Sequence, residues 1–308
     1  MVEYYQRRSD AEPLERVKKP YTTTGLWIHI PDKKVDIARL SELYGLDENV
    51  VRDVFDQHEL PRSEYKNHNQ YVFMRLPSSA VDGAATVPIL AIMGQQYFIT
   101  ITPHVDFSPQ KIDVFLTTSV QRPSNMLAAV LAGVVTEYER RVNVLEEKII
   151  HARRRLKSTS VQNTDFIEFV TIEDRLNEYR SNLEGMLGVT KQLQVNRYGL
   201  FHTHEVALIE DIMLHVEQLL VSISASSQTI TSIQNAYSTI ANNTLNQRMK
   251  LLTAITILLA IPNVFYGMYG MNVTLPFQHE PWAYSLIVGF TVLLIVLVFF
   301  LAKRSRLF

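Results

Sequence analysis

LLTAITILLAIPNVFYGMY (251–269) and WAYSLIVGFTVLLIVLVFFLA (282–302) decide the fold of the 308-residue chain. Neither contains a charged residue. A helix rises about 1.5 Å per residue, so about 20 apolar residues cross a hydrocarbon layer of about 30 Å. The second stretch opens with Trp282 and Tyr284, side chains suited to the lipid–water boundary, and is followed by Lys303, Arg304 and Arg306, which would stop transfer. The first is spotted with Thr253, Thr256, Pro262 and Asn263. Such groups suit a helix lining a wet path. Alternatively, the threonines bond back to their own helix and Asn263 serves a kink near Pro262.

Flanking charge predicts orientation. Arg248 and Lys250 precede the first span, basic residues follow the second, and the connection Met271 to Pro281 carries Glu280 but no Lys or Arg. The positive-inside rule puts both termini in the cytoplasm and the connection outside, in a multi-pass protein of the cell (inner or plasma) membrane. The polar N-terminus, MVEYYQRRSDAEPLERVKKP, has no apolar signal region and is expected to stay in the cytoplasm.

Composition narrows the rest. Thirty Lys+Arg stand against 31 Asp+Glu, so no nucleic-acid partner is expected. The absence of cysteine excludes disulfides, thiolate metal sites and cysteine catalysis. No phosphate loop, nucleophile elbow or HExxH is present, so the chain reads as a non-enzyme with no bound cofactor.

The segment before the spans predicts a cytoplasmic α/β domain, residues 1–202. Trp27–Ile30, Tyr71–Arg75, Val87–Met93 and Gln96–Thr102 read as strands, the last two a hairpin about Gly94-Gln95. Lys33 to Phe55 has helical periodicity broken at Gly45, with Asp47 as an N-cap for its second half. Ser124 to Leu156 and Thr164 to Val195 read as a pair of long helices. His202 and His204, at i and i+2, do not share a helix face and make a poor metal pair.

A stalk helix, residues 203–249, then runs into a transmembrane domain, residues 250–308, with helices over about 250–269 and 282–302. Ile212, Val216, Leu219, Ile223, Ser226, Ile230, Ile233, Tyr237 and Ile240 are stepped by 4 and 3, a heptad seam. That seam suits packing around an oligomer axis or against the chain's own helices. Asn246, Met249, Thr253, Thr256, Ala260 and Asn263 form a second stripe, small or polar, one position off the first. In a symmetric oligomer it would face the axis and offer neutral oxygens. Mg2+, which takes oxygen ligands and dehydrates reluctantly, could pass hydrated along such a wall without being trapped.

Tyr269-Gly-Met-Asn272, between two C-terminal spans, resembles the signature of the CorA family of magnesium transporters. The resemblance extends to Asn246-Gln-Arg-Met-Lys-Leu-Leu-Thr253, to Glu210-Asp-Ile212 with His215, and more loosely to Trp27-Ile-His-Ile, Tyr44-Gly-Leu and Pro61-Arg62. It implies a funnel-shaped homopentamer in a lipid bilayer, carrying Mg2+ as substrate down the membrane potential and gated by cytoplasmic Mg2+. Gly270, Met271 and Asn272 would form the selectivity filter. Asn272 would hold the hydrated ion, Gly270 would permit the tight turn off the helix, and Met271 would pack rather than coordinate. Asn246 would form an inner polar ring, and Met249 and Leu252 an apolar constriction. Asp211 matches one arm of the family's regulatory Mg2+ site, with Asp82 a candidate for the other, although Ser78 to Thr86 departs from the family pattern. Asn235 stands where some relatives place an aspartate, and the outer loop has only His279 and Glu280 where many carry more acid. Two alternatives remain: transport of Zn2+, Co2+ or Ni2+, and a membrane-anchored coiled-coil sensor or scaffold that conducts nothing.

Overall fold

A computed structural model describes residues 2–6, 14–18, 25–32, 35–78, 85–103, 107, 109, 122–155, 163–273, 277 and 279–304. The chain divides into two compact units, Met1–Thr231 and Ser232–Phe308.

The first unit holds a seven-stranded sheet: β1 (Glu3–Gln6), β2 (Glu15–Val17), β3 (Leu26–Ile30), β4 (Arg62–Lys66), β5 (Asn69–Pro77), β6 (Thr86–Met93) and β7 (Tyr97–Ile101). The order is β2-β1-β3-β7-β6-β5-β4. β3 and β7 run parallel, in register from Leu26↔Tyr97 to Ile30↔Ile101, and the other pairs are antiparallel. β3 and β6 are buried along their whole length, and β5 along almost all of it. That is the signature of strands covered on both faces.

One face is covered by α1 (Ile37–Tyr44) and α2 (Glu48–Arg52), which continues as a 3-10 turn over Asp53–Phe55. Leu40, Val50, Val51 and Val54 pack there with Ile28, Tyr71, Phe73, Ile92 and Ile99. Asp36 and Asp47 cap these helices, accepting from Arg39 N at 3.1 Å and Val50 N at 3.2 Å. Gly45 ends α1 at φ 62°, a left-handed position that costs glycine nothing, as the break predicted there requires.

The other face meets α3 (Pro123–Arg155) and α4 (Asn163–Gln194), the predicted long pair. Trp27 and Phe98 meet edge-to-face at 5.2 Å, and the Trp27 indole donates to Thr100 Oγ1 at 2.9 Å. Tyr138 of α3, fully buried, donates to the Arg75 carbonyl at 3.0 Å. That carbonyl needs an outside donor: β4 pairing ends at Phe73, and Pro88, opposite Arg75 on β6, has no N–H.

The strand candidates are found with slightly different limits, and β1, β2 and β4 are additional. β4 is Arg-Ser-Glu-Tyr-Lys, an edge strand whose charge protects it from pairing with other chains. It joins β5 through Asn67 and His68, both at positive φ, a tight hairpin turn without the usual glycine.

Helix α5 spans Thr203–Tyr269, 67 residues without interruption, and α6 spans Ala283–Arg304. The C-terminal part of α5 and the Ala283–Phe300 part of α6 are long and apolar enough to cross a membrane. Both lie almost wholly uncovered by the chain itself, so their apolar surface needs lipid or other copies around it.

Candidate functional site: an ion path along the fifth helix

Within the first unit the predicted heptad seam is packed inside the chain. Ile212, Val216, Leu219, Ile223, Ser226 and Ile230 are all buried; of the seam positions in the second unit, Ile233 and Tyr237 are buried and Ile240 is 42% exposed. Self-packing, one of the two readings the spacing allowed, therefore accounts for the seam from Ile212 to Ile230. Glu146 of α3 fastens it by accepting hydrogen bonds from Ser222 and, at 3.1 Å, from Ser226. His215 faces Glu139 of α3 at 3.4 Å, and Lys191 of α4 faces Glu217 at 3.6 Å. Neither Ser222 nor Glu146 was legible as a tie; a serine filling a heptad position was the only hint.

His202 lies at the start of α5, where its backbone rather than its imidazole is used. The His202 N–H donates to Glu205 at 2.5 Å, half of a capping box, and buried Glu205 also accepts from Ser124 at 2.9 Å. Glu210 and Asp211 are exposed on α5. Among the described residues no three His, Asp or Glu side chains gather as a metal site within one chain. Asp82 lies outside the described residues.

In the second unit one face of α5 is covered. Ala254 is 7% exposed, Leu258, Ile261, Pro262 and Phe265 are partly buried, and Phe265 meets Phe290 of α6 edge-to-face at 5.4 Å. At about 100° per residue these positions share one side of the helix. Asn246, Met249, Leu252, Thr253, Thr256 and Asn263 fall about 100–175° away and are all exposed, Met249 at 54% and Leu252 at 58%. The candidate path thus lies on the side α6 leaves open.

Both threonine hydroxyls are turned back into the helix, Thr253 donating to Met249 O and Thr256 to Leu252 O, each at 2.9 Å. The two readings of these threonines are therefore compatible. With the proton committed inward, the oxygen presents only lone pairs outward, the polarity a cation or its water requires.

α5 ends through backbone bonds, Gly270 N to Tyr266 O at 3.0 Å and Met271 N to Met268 O at 3.2 Å, so Asn272 is not needed as its cap. Gly270 is not in the left-handed region, which among described glycines is adopted by Gly25, Gly45 and Gly199. The turn favours glycine for another reason: a Cβ at 270 would stand a tight 3.2 Å from Tyr266 O. Met271 is exposed, so the packing expected of it is not with its own chain.

A sequence model of the family described as "CorA-like Mg2+ transporter protein" matches residues 24–304. The cobalt/magnesium transport protein CorA of Methanocaldococcus jannaschii is 24% identical over 301 residues, covering 91% of this chain and 90% of that one. The protein of the same name from Thermotoga maritima is 21% identical over 310 residues, covering 93% and 84%. The complete structure of the M. jannaschii CorA magnesium transporter superposes with a TM-score of 0.85 at 18% identity, covering 99% of this chain and 98% of that one. A family match over nearly the whole length, an α/β domain, a continuous long helix and two C-terminal apolar helices agree: the chain belongs to the CorA-like Mg2+ transporter family.

Proposed function

We propose that this chain carries Mg2+ across a membrane through a path lined by α5, passively and driven by the membrane potential. The observation that carries the reading is the oxygen-bearing stripe of α5 on the side opposite α6, leading to Asn272. Five copies around an axis would turn these stripes inward. Asn246 would ring the inner mouth, Met249 and Leu252 would close it by excluding water, and Gly270, Met271 and Asn272 would select at the outer mouth. Neutral oxygens can bond a hydrated ion without stripping or trapping it. A potential of 100 mV contributes about 2.3 kcal/mol per charge, about twice that for a divalent ion, with both termini on the cytoplasmic side. Asp211, exposed on α5, would form one arm of a Mg2+ sensor shared between copies.

Co2+ is the second substrate to try, because the M. jannaschii and T. maritima relatives carry cobalt in their names. A scaffold that conducts nothing leaves the oxygens of Thr253, Thr256 and Asn263 in an apolar segment without a purpose. The test is Mg2+ and Co2+ flux into proteoliposomes at a set potential, with Asn272→Ala beside the wild type. Potential-driven Mg2+ flux, reduced at least tenfold by the substitution, is the expected result. Undiminished flux in Asn272→Ala removes the assigned filter, and a protein silent for both ions removes transport of either.

A further inference from the structure

A cavity of about 180 Å³ lies between the β4–β5 edge of the sheet, the end of α4 and the turn that leads into α5. An apolar cavity of about 150 Å³ admits benzene, so this space takes an aromatic ring. The strand register sets its polar wall. Tyr65 pairs with Gln70 and Ser63 with Val72, so Ser63, Tyr65 and Gln70 share one face of the sheet, the face that α3 and α4 cover. Leu193 of α4, with Leu200 and Phe201 of the turn, supplies the apolar wall.

Gln70 is 4% exposed, yet only one end of its amide is used. Nε2 donates to Ser63 Oγ at 2.6 Å, to Glu64 O at 3.0 Å and to Tyr71 O at 3.3 Å. Two of these partners are carbonyls, which only accept, so the nitrogen end of the amide is fixed. Oε1 accepts no hydrogen bond among the described residues, and it is open to the cavity rather than sealed in. Ser63 Oγ, having accepted from Nε2, keeps its own proton to donate. The wall thus offers an acceptor beside a donor.

The turn opposite is firmly built. Asn196, at φ 49°, spans it with both ends of its side chain: Nδ2 donates to Phe201 O at 2.7 Å, and Oδ1 accepts from Phe201 N at 3.1 Å. Tyr198 lines the cavity while 49% exposed, and Tyr65, stacked on it at 4.0 Å and 20°, fixes the plane of its ring. Arg197 stands exposed at the mouth, its guanidinium 6.0 Å from the Tyr198 centroid, and pairs with no carboxylate among the described residues.

From these features we infer that the cavity is a nucleotide-binding site. The base enters beside Tyr198, its amino or ring N–H donates to Gln70 Oε1, the neighbouring acceptor on the same edge takes the Ser63 proton, and the phosphate rests on Arg197. Every nucleobase carries a donor next to an acceptor on one edge, and proteins hold unpaired bases through aromatic rings, edge hydrogen bonds and guanidinium groups. A phosphate alone leaves Gln70 Oε1 without a donor, and an uncharged ring leaves Arg197 without an anion. The site lies wholly within the first unit, and its occupancy is read without any flux, so it stands apart from the transport reading.

Calorimetric titration of the full chain in detergent tests it, with AMP and CMP as probes of the two ring sizes and adenosine, cytidine and ribose 5-phosphate beside them. At least one of the two nucleotides should bind saturably at one site per chain, at least tenfold more tightly than its nucleoside or ribose 5-phosphate. Removing the exocyclic amino group from that nucleotide should weaken it several-fold. Arg197→Ala should lower its affinity to that of the nucleoside, and Tyr198→Ala should weaken both nucleotide and nucleoside at least fivefold. Both side chains are exposed, so neither substitution threatens the fold. Ser63→Ala, which leaves Gln70 Nε2 its two carbonyl partners, should weaken binding several-fold. The inference is overturned by the absence of saturable binding for both nucleotides, by binding that survives Arg197→Ala and Tyr198→Ala unchanged, or by ribose 5-phosphate binding as tightly as the nucleotide.

Discussion

Thr256→Val replaces one hydroxyl by a methyl of nearly the same volume on the open side of α5. In the structure that hydroxyl donates to Leu252 O at 2.9 Å. The bond is a local return to the backbone that contributes little to the helix, so folding should change by no more than about 0.5 kcal/mol. Flux should change more. The oxygen's outward lone pairs are lost in every copy, and a hydrogen bond to the ion's water is worth about 0.5–1.5 kcal/mol net. Two such contacts, shared by a passing ion among the copies, give about 1–3 kcal/mol, or roughly 5–150-fold in rate. Thr256→Ser keeps the oxygen and should stay near wild type. Thr291→Val is the control, because Thr291 makes the same bond to Ile287 O at 2.8 Å but is buried on α6. The assay is initial Mg2+ uptake into proteoliposomes at fixed potential and equal protein. Wild-type flux in Thr256→Val, or an equal loss in Thr291→Val, refutes the reasoning.

Three further outcomes are expected. Asp211→Asn should move the internal Mg2+ concentration that halves flux upward several-fold; an unmoved inhibition curve removes Asp211 from the sensor. Asp47→Ala should cost about 0.5–2 kcal/mol by uncapping α2. The Lys66 ammonium at 2.8 Å and the Val50 N–H hold the Asp47 carboxyl below its ordinary range. Its stabilisation is therefore complete above that range and disappears as pH falls through the lowered value, so the gap in urea midpoint between wild type and variant should narrow below about pH 4; a gap constant down to pH 2 assigns the effect to something other than the ionised carboxylate. Tyr138→Phe leaves the Arg75 carbonyl buried without its donor and should cost about 1–3 kcal/mol, a fall of roughly 2–10 °C in Tm; an unchanged melting curve would mean another donor replaces it.

Much of this architecture was legible in the sequence because strong periodic signals carried it. Two uncharged apolar runs, a 3.5-residue repeat and the break at Gly45 needed no tertiary context. β4 was not legible, since an edge strand is charged for the same reason that makes it look like a loop. The heptad seam was visible, but its partner was not: spacing fixes which side of a helix is apolar and is silent on what covers it. The Glu146 anchorage depends on two residues 76 and 80 positions apart in the chain, beyond any local pattern. Thr253 and Thr256 could be placed on one stripe, whereas the inward turn of their protons is a matter of rotamer. The reason for glycine at 270 also escaped, because a crowded carbonyl and a left-handed turn ask for the same residue.

Pro262 sits inside α5 without breaking it. In mechanical terms α5 is a shaft of about 100 Å whose torsional stiffness comes from successive N–H to carbonyl rungs, and proline omits one. A twist entering at Glu146 would travel from rung to rung as far as Met249, Leu252 and Thr256 and then meet a compliant joint. Asn263 to Asn272 lie beyond that joint. One omitted hydrogen bond would let the element proposed to open the path turn with less effect on the element proposed to choose the ion.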